Sequence, residues 1–221
     1  MNLKQIIKNK YDLNGAILGT LMGDTCIVKR KGNQNGRFQI THSPEQKGYL
    51  EFKKELLNLC PLTKVSDINE RITHLKKTNK DYLQYQIYTN QNTFATNMYN
   101  RVYIDGRKII NEDILNCITD FGLFLWYLDD GYLNIRYHKD TSKIKEYRMF
   151  LYTMNFTLDE VKLIKSWFEK KYNISPNINK KQNGYILYFN GSKTRKFMDI
   201  IDPFYNLIPC LNRKFLKEYF D

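Results

Sequence analysis

Cysteine is scarce and scattered: Cys26, Cys60, Cys117 and Cys210 are the only four in 221 residues, and no two form a CxxC pair. That spacing argues against a zinc cluster or a disulfide framework, and for buried thiols in a reducing compartment. Histidine is scarcer still, and neither His74 nor His138 has a second His or Cys at ligand spacing. No apolar run approaches the roughly 18 residues of a membrane span. The opening Met1-Asn2-Leu3-Lys4-Gln5 is not followed by the apolar core of a signal peptide, so neither insertion nor secretion is expected. No GK[ST] follows the glycines of residues 15–23, which excludes a P-loop. No Ser-His-Asp or Cys-His arrangement stands out. Acid is in deficit, with 23 Asp+Glu against 35 Lys+Arg and a net charge of +12. Such a balance calls for a polyanionic partner, either nucleic acid or an anionic membrane surface.

What is present makes a folded protein. Hydrophobic residues are 42% of the chain and aromatics 14%, enough for a packed core. Asn, Lys, Ile and Tyr are abundant, and their codons are AT-rich. That usage suits an organellar, phage or AT-rich bacterial genome. The expected location is intracellular, in a mitochondrion, a chloroplast or a bacterial or phage-infected cytoplasm.

Two rounds of similar elements run along the chain. The pattern predicts an apolar helix over 14–24, then a hairpin of strands 26–31 and 37–42 around Lys31-Gly32-Asn33-Gln34-Asn35-Gly36. An amphipathic helix over 44–60, strands near 70–77 and 82–89, and a helix from about Gln91 follow. The second round predicts a helix over 121–130, strands near 132–139 and 147–154, and a helix from Leu158 to Tyr172. Strands near 177–181 and 185–189 and a helix from Ser192 complete it. Several strands alternate with period two. Arg37, Gln39 and Thr41 interleave with Phe38 and Ile40. Gln84 and Gln86 interleave with Leu83, Tyr85 and Ile87. Asn134, Arg136 and His138 interleave with Ile135 and Tyr137. One face of each strand is therefore expected to be buried and the other open. The open face is either an ordinary solvated surface or a set of donors and acceptors for base edges.

Gly15, Gly19 and Gly23 recur every four residues, so on a helix they share a face. Each costs about 1 kcal/mol of helix propensity relative to Ala, and close approach of a second helix offsets that cost. This segment ends at Gly23-Asp24, and the second apolar helix ends at Leu128-Asp129-Asp130-Gly131. A carboxylate at a helix C-terminus faces the negative end of the macrodipole. Two such ends brought together need a cation, and oxygen ligands of this kind suit Mg²⁺. Asp24 and Asp130 are 106 residues apart, and so are Lys108 and Lys214, each preceded by an Arg.

Ile17-Leu18-Gly19-Thr20-Leu21-Met22-Gly23-Asp24-Thr25 and Leu123-Phe124-Leu125-Trp126-Tyr127-Leu128-Asp129-Asp130-Gly131 resemble the two motifs of the single-chain LAGLIDADG homing endonucleases. The resemblance extends from about residue 14 to 216. It implies an α/β (α+β) fold of tandem αββαββα halves, residues 1–110 and 111–221. A pseudo-twofold axis would relate the halves, with the motif helices at their interface and saddle-shaped antiparallel sheets facing DNA. The activity it implies is Mg²⁺- or Mn²⁺-dependent, site-specific double-strand cleavage by a monomer. The implied target is long, and the cuts leave short 3′ overhangs.

Position by position, the resemblance makes Asp24 and Asp130 the metal-binding acids, with Gly23 and Asp129 as secondary ligands. Lys108 and Lys214 match the basic residues near the scissile phosphates. His42, or else Gln39, matches a water-positioning residue. Met154 falls at that place in the second half and cannot organise water, leaving Asn155 or Asn179 as substitutes. Leu125 stands where the first motif has Gly19, so asymmetric helix packing is expected. Candidate DNA contacts are Lys29, Arg30, Arg37, Gln39, Arg71, Gln84, Gln86, Asn134, Arg136, His138, Arg148, Asn177, Asn179 and Lys181. Two rivals share the scaffold: an RNA maturase that binds intron RNA, and a DNA-binding regulator without catalysis.

Overall fold

The computed structural model describes residues 2–76, 78–139 and 143–215. The expected strand end at Lys77 and the end of the resemblance at residue 216 lie outside them. After a single turn α1 (Leu3–Ile6), the first round is α2 (Lys10–Met22), β1 (Cys26–Val28), β2 (Arg37–His42), α3 (Lys47–Asn58), β3 (Asn69–Leu75), β4 (Lys80–Tyr88) and α4 (Thr93–Val102). A small hairpin, β5 (Tyr103–Ile104) and β6 (Arg107–Lys108), and a short α5 (Glu112–Cys117) join it to the second round. That round is α6 (Asp120–Asp130), β7 (Gly131–Tyr137), β8 (Ile144–Tyr152), α7 (Leu158–Tyr172), β9 (Asn177–Lys181), β10 (Gly184–Asn190) and α8 (Gly191–Ile201). Two 3-10 segments, Asp202–Leu207 and Pro209–Lys214, follow. The sequence pattern does not show α1, β5–β6, α5 or the 3-10 segments; each is too short to display a hydrophobic period.

Helix starts are set by side-chain caps. Asn9 accepts hydrogen bonds from the Tyr11 and Asp12 amides, Asn92 from Ala95, and Thr119 from Gly122. Thr157 and Glu160 form a reciprocal capping box at the start of α7. At its other end Asn173 turns into the left-handed region at φ 52° and stops the helix. Those two signals bracket Leu158–Tyr172.

The two sheets have matching orders, β1-β2-β4-β3 and β7-β8-β10-β9, antiparallel throughout. Their registers superimpose. Cys26, Gln39 and Tyr88 are neighbours across the first sheet, as Tyr132, Phe150 and Tyr188 are across the second. Each triplet begins two residues after a motif Asp. The same register puts Thr153 opposite Tyr185, where the first half has His42 opposite Tyr85. Thr153, not Met154, is therefore the counterpart of His42.

Alternation holds on β2, where Phe38 and Ile40 are buried beneath Arg37, Gln39 and Thr41. It fails toward the outer ends of the hairpins. Leu83 is 41% exposed, Ile72 is 70% exposed and Tyr137 is 55% exposed. His138 lies one residue past the end of β7, exposed.

The core is centred on α2 and α6. Phe121 to Leu128 are all buried, as are Gly15 to Met22, so both helices are enclosed on every side. They meet backbone to backbone. A Cβ on Gly19 would lie 2.0 Å from the carbonyl oxygen of Gly122, and one on Gly122 would lie 2.2 Å from that of Gly15. The expected asymmetry takes this form: α2 contributes two glycines and α6 one, three residues before the bulky Leu125. No helix among the described residues is long and apolar enough to cross a membrane.

Candidate metal and nucleic-acid site

The two motif helices end side by side, and their ends differ. Asp130 is the last residue of α6, whereas α2 stops at Met22 and Asp24 follows the Gly23 cap. Asp24 is about half exposed, with Oδ2 3.9 Å from Nδ1 of His42. Its pKa is raised, first by burial of its surroundings and then by the Asp129 charge. Asp130 is pushed up to about 7 by burial, then by Asp129 and Asp24. Three carboxylates thus crowd one spot.

Lys108 and Lys214 occupy equivalent places at the two ends. Nζ of Lys108 donates to the carbonyls of Gly23 (2.7 Å) and Thr25 (2.8 Å). Nζ of Lys214 donates to those of Leu128 (2.6 Å) and Gly131 (2.8 Å). Each ammonium sits on carbonyls at and just beyond a helix C-terminus, the negative end of the macrodipole. Burial lowers both pKa values, that of Lys214 to about 8. The short hairpin aims Lys108. Its Asp105-Gly106 turn has φ of 50° and 78°, the left-handed pair that Asp-Gly favours in a two-residue turn.

Two expected secondary ligands are already engaged. The Gly23 carbonyl accepts from Lys108. The Asp129 carboxylate accepts from Nζ of Lys53 at 2.7 and 2.9 Å and from the Asp24 amide at 3.1 Å. Both side chains of this ion pair are fully buried. Asp129 therefore links α3, α6 and the end of α2, and its carboxylate still lies within reach of a shared ion with Asp24 and His42. Sequence reasoning missed Lys53, although a signal existed. The buried stripe of α3 reads Tyr49, Leu50, Lys53, Leu56, Leu57, with one lysine among apolar residues. Tyr49 closes the floor: its hydroxyl donates to the Leu125 carbonyl, and the Lys53 ammonium lies 4.4 Å from its ring centroid.

His42 reaches the site from the core face of β2, not from its polar face. It is buried, and its Nδ1 lies 3.1 Å from Oε1 of Gln46. Burial, with the nearby Lys53 charge, lowers its pKa to about 3, so the ring is neutral. Its Nε2 is buried without a partner. Ligand atoms of Asp24, His42 and Asp129 lie within 4.8 Å of one another. Gln39 lies on the open face, half-buried. Thr153, the counterpart of His42, spends its hydroxyl on the Tyr185 carbonyl.

The other candidates spread over the two open sheet faces. Arg37 lies over the Tyr88 ring at 4.8 Å, and Arg148 over Tyr188 at 5.9 Å. Gln86 donates to Thr41, and Gln84 accepts from Thr73. Lys29, Arg30, Arg71, Asn177, Asn179 and Lys181 are exposed. Asn134 and Arg148 are register partners. Arg136 and Arg148 flank Glu146, which pairs with both and reduces the positive charge there.

The family model of the LAGLIDADG DNA endonucleases matches residues 14–197. The chain belongs to the LAGLIDADG DNA endonuclease family. Uncharacterized protein MJ1098 of Methanocaldococcus jannaschii is 30% identical over 213 residues, 91% of this LAGLIDADG chain and 75% of its relative. The cytochrome b mRNA maturase bI2 of Debaryomyces hansenii is 30% identical over 165 residues, 73% of this chain and 57% of the maturase. Among solved structures, the homing endonuclease I-WcaI bound to its DNA recognition sequence superimposes with a TM-score of 0.80 at 22% identity. The match covers 92% of this LAGLIDADG chain and 85% of that one.

The acid cluster has a consequence for stability. The folded-state pKa of Asp130, about 7, lies above the carboxylate model value of 3.8. Its contribution is therefore fully present below the lower value and is lost as pH rises through the higher one. In EDTA at pH 8, Asp130→Asn is expected to melt above wild type, and the gap should close toward pH 5. His42 acts in the opposite sense in acid, but both proteins carry it, so the difference between them isolates Asp130. Added Mg²⁺, binding only the folded wild-type site, should narrow or reverse the gap at pH 8. Paired thermal melts decide it; a variant that melts clearly lower in EDTA would give Asp130 a structural role.

Proposed function

We propose that the chain is a monomeric, site-specific double-strand DNA endonuclease of the intron- or intein-homing type. The observation that carries this reading is the pairing of Asp24 and Asp130 at two helix ends fused across a glycine seam, each end capped by its own lysine. The residues fit a hard divalent cation, Mg²⁺ or Mn²⁺. Asp24 and Asp130 both have raised pKa values and both feel the Asp129 charge, a crowding that bound positive charge relieves. When bound, such an ion supplies an acidified water and charge stabilisation for the leaving oxygen. The chain's own residues do the rest. Asp24 and Asp130 would hold the ion, with Asp129 beside them. Lys108 and Lys214 fix the helix ends and present positive charge beside phosphate. The two antiparallel sheets offer Arg, Gln, Asn and Lys side chains to base edges and backbone.

The test is cleavage selection from a randomised duplex library with Mg²⁺. One long target should emerge, cut in both strands with a short 3′ stagger. Survival of every duplex uncut would refute the reading. The likeness to the maturase bI2 favours a second activity, intron-RNA binding that assists splicing. A splicing assay with Asp24→Asn separates the two: splicing kept while cleavage is lost would mark RNA binding as a distinct activity.

A further inference from the structure

Each sheet has one row of side chains beside the motif carboxylates, and the two rows differ at the centre. In the first sheet the row is Cys26, Gln39, Tyr88; in the second it is Tyr132, Phe150, Tyr188. The frame around them repeats. Tyr88 and Tyr188 are equivalent, and Arg37 and Arg148 lie over their rings. Where one half has an amide, the other has a phenyl group. The Phe150 ring is 6.2 Å from Tyr132 at 28° and 5.2 Å from Tyr188 at 30°. Tyr132 is 49% exposed, and so is 42% of Tyr152, the next residue along β8 on the same face. The core side of these strands uses other residues: Leu133, Met149, Leu151 and Phe189. The ladder is therefore an aromatic surface on the open face, continuous with Asn134 and Arg148.

Apolar surface of this kind gains when it meets apolar surface. In the major groove of duplex DNA that surface is the 5-methyl group of thymine. Guanine presents two acceptors, cytosine a donor and adenine one of each. Set against a phenyl ring, each would lose its water without gaining a partner. Gln39, at the equivalent place, offers both a donor and an acceptor, the pair that suits adenine.

We infer that the Tyr132–Phe150–Tyr188 ladder reads thymine methyl groups at the inner base pairs of the half-site bound by the second sheet. The inference rests on the DNA-cleavage reading and adds an asymmetry to it. The second half-site is selected for thymine by hydrocarbon contact, and the first for hydrogen-bonding edges by Gln39.

The experiment uses the full chain and duplexes selected for binding in EDTA. The half-site under the second sheet is the one whose base preferences relax in Asn134→Ala. Each thymine of the selected duplex is then replaced singly by deoxyuridine, which removes only the methyl group. Affinity should fall about fourfold per methyl at inner positions of that half-site, the factor one buried methyl is worth. Inner thymines of the other half should show no change. Phe150→Ala should bind the thymine and uracil duplexes equally, a result that a merely structural role for the ring would not produce. Tyr132→Ala provides the same comparison if Phe150→Ala does not fold, and the wild-type scan stands without either. Losses that are absent, or equal in both halves, overturn the inference. A selection that enriches no duplex refutes the cleavage reading together with it, whereas enrichment with no uracil effect refutes the inference alone.

Discussion

Asp24→Asn and Asp130→Asn are each expected to lose double-strand cleavage by about a thousandfold, roughly 4 kcal/mol of transition-state charge stabilisation. Target affinity should be nearly unchanged, because the candidate base contacts lie on the sheets. The two variants need not behave alike. Asp24 is about half exposed beyond the end of α2, whereas Asp130 is inside the last turn of α6 with its pKa pushed up to about 7. A supercoiled plasmid carrying the selected target separates nicking from linearisation in one gel. Either variant cutting both strands at near the wild-type rate would take the metal site away from these residues.

The second large effect is expected from a residue that touches neither metal nor DNA. Lys53→Met leaves the Asp129 carboxylate buried without its ammonium, and removing one partner of a buried ion pair typically costs about 3–5 kcal/mol. For a chain of this length that is a fall in melting temperature of roughly 10 °C. The double variant Lys53→Met with Asp129→Leu should recover most of the loss, because an apolar pair of similar volume avoids desolvating either charge. Urea denaturation of the two single variants and the double closes the cycle. A loss within about 1 kcal/mol for Lys53→Met, or one that Asp129→Leu does not relieve, would mean the pair does not hold the helix ends together.

The fold was legible where the pattern was long and periodic. Leu158–Tyr172 carries its own capping box and C-terminal Asn, so its bounds follow from local chemistry. The motif acids and the two lysines were legible because the chain repeats itself at a constant spacing. Lys53 was visible only as an anomaly. A lysine on an apolar stripe announces burial, but its partner is 76 residues away on another helix, and no local pattern holds that information. His42 was named from the resemblance, and its place in the strand alternation puts it with Phe38 and Ile40, toward the core. The shift from Met154 to Thr153 came from register. Gln39 comes 13 residues after its partner Cys26 and Phe150 comes 18 after Tyr132, so counting along the chain drifts where counting across the sheet does not. Leu83 and Ile72 show the limit of alternation itself, which specifies two faces of a strand and not what lies beyond the strand's end.

The glycine seam between α2 and α6 separates two properties that are usually discussed as one. The carbonyl of Gly122 lies where a Gly19 side chain would begin, so the helices have no slack, and the offset between the two carboxylates is built into the backbone. On the proposed cleavage reading, the distance between the two cuts would then be a property of the frame, like the gauge of a rail track. Sequence preference resides in side chains on the open sheet faces, none of which contributes to the seam. Exchanging Gln39, Phe150 or Asn134 can redirect the protein to a new address while the stagger of the cut ends stays the same.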